Sequence, residues 1–459
     1  MRNITRKLGQ LRKTKADIFN RLGKEIVWIA LGQILTALGA IIGVRLLTDV
    51  LPPAGYGELA LSMTAITLVQ QTIVAPFVTQ SSLRYFAPAL EVKQLSAYLV
   101  AVRRLIIQTT AIVLGLGGIV LLILFNIDLG QWIGLGISTI LFGLFFSLNA
   151  AMDGMQNAAR HRAVVAVHQA ARQWARFLVA VAFISIFGAF SSVAMTGYVV
   201  ASVVILYSQW IFFRRKILSL RSTHLPVSQA DIQTWLRQMH QYAWPFVTWG
   251  IFAWAQLASD RWALRFFGSA SDVGVYAALY QLGYFPISLT SAAVIRLIAP
   301  ILFSKAGDGT DTARLKQTHR MTRQLVWSTV LLTGLGAVVA FFFHELIFSY
   351  LVAAEYRFIS NLLPFMVLWG GIFASSQVAV LAILSDTKSQ MLILPKMVTA
   401  VIGVSLNIFG AYWFGANGVI AAGVVTALCY FIWIIRLSAR SRSILEAGDQ
   451  HTQLANTNV

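Results

Sequence analysis

The sequence predicts an all-α polytopic membrane protein of about 12 transmembrane helices, in two pseudo-symmetric six-helix lobes around a central cavity. Three observations predict it. The first is composition: of 459 residues, 58% are hydrophobic and only 12% charged, with a mean hydropathy of +0.71, where a soluble chain carries about 25% charged residues. The second is the alternation of basic residues along the chain. The third is an internal repeat.

Apolar runs of about 20 residues, enough for one crossing, fall near 25–50, 57–80, 98–126, 131–152, 163–188, 193–213, 241–266, 273–296, 325–350, 359–384, 389–413 and 416–436. Thirty of the 36 lysines and arginines lie in the N-terminal segment, the even-numbered connections and the C-terminal tail. Arg357 alone lies in the odd-numbered loops. Basic loops stay on the cytoplasmic side, so the expectation is a multi-pass protein with both termini in the cytoplasm. The same placement accounts for most of the net charge of +19, leaving no need for a nucleic-acid partner. Residues 1–24 are too long and too polar for a cleavable signal. They read as a basic segment near anionic lipid. Cys429 is the only cysteine, which excludes a disulfide framework and a Cys-based metal site. No cofactor or metal is expected.

Three short motifs recur in order. Arg45 precedes Gly57 by 12 residues, and Arg261 precedes Gly274 by 13. "LRYFAPAL" at Leu83–Leu90 matches "IRLIAPIL" at Ile295–Leu302 at an offset of 212. "FGAFSSVA" at Phe187–Ala194 matches "FGANGVIA" at Phe414–Ala421 at an offset of 227. Together they indicate two related six-span halves. Six is even, so the halves share one orientation, with a substrate site at their interface. The expected division is an N-lobe over 25–213, a cytoplasmic linker over 214–240, a C-lobe over 241–436 and a polar tail over 437–459. The linker piece "THLPVSQADIQ" reads as an amphipathic segment lying on the membrane.

Five arginines fall at membrane depth: Arg45, Arg172, Arg176, Arg261 and Arg265. A charge there costs at least about 2.5 kcal/mol, so such residues face water or protein. His161, His168, Arg172 and Arg176 fall on one face of span 5. Only about 21 Å of helix remains beyond Phe177, short of the roughly 30 Å hydrocarbon core. Two placements stay open for Arg172 and Arg176, a polar cavity or the cytoplasmic interface reached by snorkelling. Arg45 has a ready partner in Asp49 at i+4. Asp260 is the best-placed carboxylate, either as an ion-pair partner or as a carrier of a coupling proton. Asn149, Asp153 and Gln156 at the inner end of span 4 are candidate sugar contacts. Tyr242, Trp244, Trp249 and Trp254 on span 7 are open to sugar stacking or to packing.

The Arg45 motif, the Arg84 segment closing span 2 and "SLNIFGAYWFGANGVIAAGVV" at Ser405–Val425 resemble the polysaccharide transporters of the multidrug/oligosaccharidyl-lipid/polysaccharide exporter superfamily, which include O-antigen and exopolysaccharide flippases. The resemblance runs from about residue 25 to 436. It implies a V-shaped molecule whose two lobes open alternately to each side of a bacterial inner membrane. The implied cargo is an oligosaccharide on a polyprenyl pyrophosphate, and the other implied partners are membrane lipids and polysaccharide-assembly proteins. It places spans 1 and 7 across the cavity from each other. Arg45, Arg261 and Arg265 would then form an outer cationic ring, with Arg172 and Arg176 holding the pyrophosphate further in. Spans 13 and 14, present in some lipid II flippases, are absent, which lowers that reading.

Two rival classes remain. A drug/cation antiporter of the same superfamily would want an acidic cavity, and this one reads basic. A membrane polymerase or glycosyltransferase would want catalytic groups on a sizeable outer loop. The outer loops here are short and carry no paired carboxylates, histidine cluster or metal-ligand spacing, so the chain does not read as an enzyme.

Overall fold

The computed structural model describes residues 27–127, 129–216, 227–307, 311–386 and 389–457, with the backbone only for 300, 389 and 441–457. The expected basic segment 1–24, the middle of the expected linker (217–226) and the last two residues of the tail lie outside the described residues. Every regular element among those described is helical.

Among the described residues ten helices are long and apolar enough to span a membrane: Val27–Val50, Pro53–Glu91, Leu95–Asn126, Gly130–Ala158, Arg162–Phe187, Ser191–Lys216, Ala270–Ala306, Thr312–Leu351, Ala354–Ser385 and Gln390–Arg440. The first six are spans 1 to 6. The helix Gln229–Phe267 adds span 7. Tryptophans, Pro245, Gln256 and Asp260 dilute its hydropathy, but its 39 residues reach about 59 Å. The next three helices are spans 8 to 10. The last doubles back at Gly415, where φ is 56°, and so supplies spans 11 and 12. The twelve crossings expected from the sequence are therefore present, and the molecule is a multi-pass membrane protein.

The repeat is visible in the backbone. Gly188 and Gly415, matched in the two "FGA" motifs, both have positive φ, 103° and 56°. Each sits in the turn that launches the sixth span of its half, in a region where L side chains are strained. Both second spans are irregular at a proline. Span 2 turns π-helical over Gln70–Gln80 around Pro76. Span 8 is interrupted at Tyr284, just before Pro286. The matched Gly57 and Gly274 touch each other across the pseudo-twofold axis. A Cβ on Gly57 would stand 1.8 Å from the Ala270 carbonyl oxygen, and one on Gly274 1.9 Å from that of Pro53. Only glycine permits this crossing of spans 2 and 8.

That crossing, with a clasp beside it, joins the lobes at the end of the molecule remote from the basic loops. The Arg45 guanidinium donates to the Val352 carbonyl at 2.6 Å, the Ala353 N–H donates to Thr48 Oγ1 at 3.2 Å, and the Tyr356 hydroxyl donates to the Leu51 carbonyl at 2.8 Å. Towards the basic end the two spans part, and the second half of span 8 packs on spans 9 and 10 of its own lobe.

Span 7 departs from the expected division. Its far half lies along span 11, where Asn407 Nδ2 donates to Ser259 Oγ at 2.9 Å. Its first three turns, assigned from the sequence to the linker, are helix continuous with the span. Ile232, Trp235 and Met239 are buried there in the N-lobe core beside Val78, Phe86 and Tyr98, and Trp235 Nε1 donates to Gln94 Oε1 at 3.1 Å. Of the piece expected to lie on the membrane, 223–226 fall outside the described residues, and Ile232 packs with Trp235 and Met239 against spans 2 and 3.

Candidate functional site: a cationic cavity between the lobes

Between the parted halves lies a cavity of about 750 Å³, walled by spans 2, 4, 5 and 6 of one lobe and spans 7, 8, 10, 11 and 12 of the other. Its apex at the far end is Tyr56. Arg176 and Arg261 line the cavity with it, each over a ring, Tyr198 or Tyr280, that packs in the same cluster as Tyr56.

Arg176 stands 14 residues into span 5, about 21 Å from its basic end, so it is at membrane depth. Its guanidinium carbon lies 4.6 Å from the centroid of the Phe177 ring and 5.6 Å from that of Tyr198. No carboxylate pairs with it among the described residues, and its Nε is buried without a partner. Arg261 lies 4.3 Å over the Tyr280 ring and donates to the Leu257 carbonyl at 3.1 Å. Asp260 sits behind it, with 3.5 Å between the charged groups. That carboxylate is buried and already accepts from the Tyr276 hydroxyl and the Arg261 backbone N–H, both at 2.7 Å. Of the two readings open for Asp260, this geometry is that of an ion-pair partner. Lys396 is the third cation, 4.6 Å over the Trp249 ring near the basic end of span 11.

No Asp or Glu is among the lining residues. The neutral lining is rich in aromatic rings and amides. Tyr280 and Tyr284 stack at 4.7 Å, and Trp369 meets Tyr284 edge-on at 5.3 Å. Gln173, Gln256, Gln281, Gln377 and Asn407 carry the amides, and Trp249 and Trp254 of the span 7 tryptophans reach the wall. Such a surface can bind an anion and can both stack on and hydrogen-bond to a polyol. Among the described residues no group of three His, Cys, Asp or Glu could hold a metal ion.

Only two of the five arginines reach this wall. Arg172 is inside the N-lobe, 7% exposed, where it donates to Asp153 Oδ2 at 2.5 Å. Gln169 and Gln209 also donate to that carboxylate. The helical wheel grouped Arg172 with Arg176, but one turn of helix is enough to turn the first towards span 4 and leave the second on the cavity. Asp153 is thus the counter-ion of Arg172 and not a sugar contact. Asn149 donates to the Ser202 carbonyl at 3.1 Å, and Gln156 is fully buried. Both stand off the cavity wall because this face of span 4 is covered by neighbouring spans. Arg45 belongs to the clasp, paired with Asp49 at 3.1 Å. Arg265 lies on a separate, apolar groove between spans 2, 3 and 4 and spans 7 and 11. Lys396 was counted with the basic loops. Its signal was its position five residues inside the apolar run that begins at Met391.

Residues 22–306, more than half of the chain, match the family described as polysaccharide biosynthesis protein. The chain belongs to that family. No curated protein matches it in sequence. Among solved structures it is similar to a multidrug resistance MATE family transporter of the MOP superfamily in an inward-facing conformation, with a TM-score of 0.63 and 13% identity over 92% of this chain and 99% of that one. It is similar to the lipid II flippase MurJ in an inward closed conformation, also at 0.63, with 11% identity over 89% of this chain and 86% of that one. An outward-facing MATE transporter of the MOP superfamily fits less closely, at 0.56 with 14% identity over 92% and 96%. At these identities the likeness is one of fold: this member of the polysaccharide biosynthesis family has the two-lobed transporter fold.

Proposed function

We propose that this protein is a flippase that moves polyprenyl-pyrophosphate-linked oligosaccharides from the cytoplasmic to the outer leaflet of a bacterial inner membrane by alternating access. One observation carries the reading: a membrane-depth cavity with Arg176, Arg261 and Lys396 on its wall, aromatic rings and amides between them, and no lining carboxylate. An unpaired guanidinium at that depth is costly unless it serves an anion or water. A lipid-linked sugar brings a phosphate anion and a hydrated glycan, while its tail stays in hydrocarbon. The basic loops make the parted end cytoplasmic, with both termini on that side, so the described conformation would receive cargo from inside. The lobes would rock about the Gly57–Gly274 crossing, with 25–213 and 241–436 as the two halves.

Multidrug transporters share the fold, but a cation exporter needs negative charge in its cavity, which this wall lacks. The test is reconstitution of the purified protein in liposomes with a labelled lipid-linked oligosaccharide and, separately, a cationic dye. Flippase function predicts appearance of the glycan in the opposite leaflet and no dye exchange. Dye exchange without glycan movement overturns it.

A further inference from the structure

The three cavity cations do not form one ring. Trp249, which carries Lys396, and Arg261 stand on the same uninterrupted stretch of span 7, twelve residues apart, which is about 18 Å along the axis. Arg176 and Arg261 line the cavity together with Tyr56, and the rings they lie over, Tyr198 and Tyr280, pack in one cluster with that tyrosine. The cavity therefore holds two cationic stations, one at the apex and one at its mouth, with the Tyr280–Tyr284–Trp369 rings on the wall between. A single pyrophosphate cannot occupy both.

Resting on the flippase reading, we propose that the cargo is an acidic glycan: its pyrophosphate docks at Lys396 and a carboxylate-bearing sugar near its distal end docks at Arg176 and Arg261. The assignment of ends follows from depth. Lys396 lies one turn inside span 11 at the basic end, level with the headgroups of the leaflet where the polyprenyl tail is embedded. A pyrophosphate at the apex would draw the first isoprene units into a chamber of tyrosine hydroxyls and amides. The glycan has no such tether and reaches upward. The chemistry of the stations agrees. An ammonium is a point charge that takes phosphate oxygens from any direction, and guanidiniums present planar forks that match a carboxylate edge as well as they match phosphate, so depth decides which end docks where. Charge balance agrees too. Asp260 stands behind Arg261 at 3.5 Å, while Arg176 has no carboxylate partner among the described residues, so the apex carries one net positive charge, and one sugar carboxylate neutralises it. A neutral glycan would desolvate that charge without replacing its water.

The experiment compares two cargos in proteoliposomes of the full chain: the same polyprenyl pyrophosphate bearing oligosaccharides that differ only in the distal sugar, a hexuronate in one and the matching hexose in the other. The expected result is that the uronate cargo moves at least about 10-fold faster, the scale of a charged hydrogen bond. Arg176→Gln should reduce that preference to within about twofold. Lys396→Gln should slow both cargos and leave the preference intact. Equal transport of both cargos overturns the proposal, as does a preference that survives Arg176→Gln. If wild-type protein moves neither cargo, the flippase reading itself fails. Tryptophan-fluorescence titration with the soluble oligosaccharides then decides the apex: a uronate preference lost in Arg176→Gln sustains it, and equal binding of acid and neutral sugars overturns it.

Discussion

The N-lobe and the C-lobe share a backbone plan, down to matched positive-φ glycines at positions 188 and 415, and differ in where they put charge. The N-lobe buries Arg172 against Asp153 between spans 4 and 5 and shows the cavity Arg176, which has no carboxylate partner among the described residues. The C-lobe buries His319 against Asp386 between spans 9 and 10, 2.8 Å apart, and shows the cavity Arg261, Lys396 and a run of stacked aromatic rings. In each lobe a buried carboxylate, Asp153 or Asp386, has a partner on a neighbouring span. The wall charges are paired loosely or not at all. The same residue type one helical turn apart thus takes two places: Arg172 pairs across to span 4, and Arg176 lines the cavity between the lobes.

The comparison breaks first at the interior pair. Asp153→Ala leaves the Arg172 guanidinium buried and uncompensated, which costs about 3–5 kcal/mol. The expected outcome is a strong loss of protein accumulated in the membrane and a lowered melting temperature in detergent. Asp153→Leu combined with Arg172→Met removes both charges and should recover most of that loss. Transport by this double variant, divided by its membrane abundance, should stay within about twofold of wild type. A loss of transport by the well-folded double variant would return Arg172 to the cargo path.

The wall charges should act on export. On the flippase reading Arg176 and Arg261 would make charge-assisted bonds to cargo worth about 1.5–3 kcal/mol, so Arg176→Ala should lower export by about 10-fold or more while abundance and melting temperature barely move. Arg261→Ala should lower export similarly and also lower the melting temperature, because it leaves buried Asp260 without its counter-ion. Normal export by both variants would make the arginines packing groups for Tyr198 and Tyr280.

These contrasts also explain what the sequence could and could not disclose. The twelve crossings were legible because each needs its own long apolar run, and the repeat was legible because glycines and prolines that serve geometry cannot drift far. The site was legible only in part. A helical wheel fixes which residues share a face of span 5 but not which neighbour covers that face, and Asp153, the partner that captures Arg172, lies on another helix. The Ile232–Trp235–Met239 face fits a membrane surface and an N-lobe groove equally well. Lys396 was hidden because a lysine near a span end satisfies the positive-inside rule whether it points to water or into the cavity.

The repeat itself can be sharpened at a smaller scale. Gly188→Ala and Gly415→Ala each force an L side chain into positive φ, at about 1–2 kcal/mol. Neither glycine touches the cavity. Each variant should lower the melting temperature by a similar few degrees and leave export per molecule unchanged. A large effect at one position only would mean that the two turns are not equivalent.

The smallest expected effect is at the clasp, where the two lobes meet instead of differing. Arg45 makes two contacts of unequal value. Its ion pair with Asp49 is a half-exposed i,i+4 pair, with side chains 36% and 41% exposed, worth about 0.3–0.5 kcal/mol at most after solvent screening. Its bond to the Val352 carbonyl at 2.6 Å crosses between lobes and contributes about 1 kcal/mol. Only the second distinguishes the clasped conformation from one in which the far end opens, because the Asp49 partner travels with span 1. Asp49→Ala should therefore leave the conformational balance nearly unchanged, whereas Arg45→Ala should raise the population open at the far end by about fivefold. Spin labels on the far ends of span 1 and span 9 would read this as a growing long-distance component. The shift should be reproduced by Tyr356→Phe, which removes the bond to the Leu51 carbonyl and leaves the ring packed on Tyr56 at 6.0 Å. If Asp49→Ala opens the far end as much as Arg45→Ala does, the arginine works through span 1 alone and the clasp does not hold the lobes together.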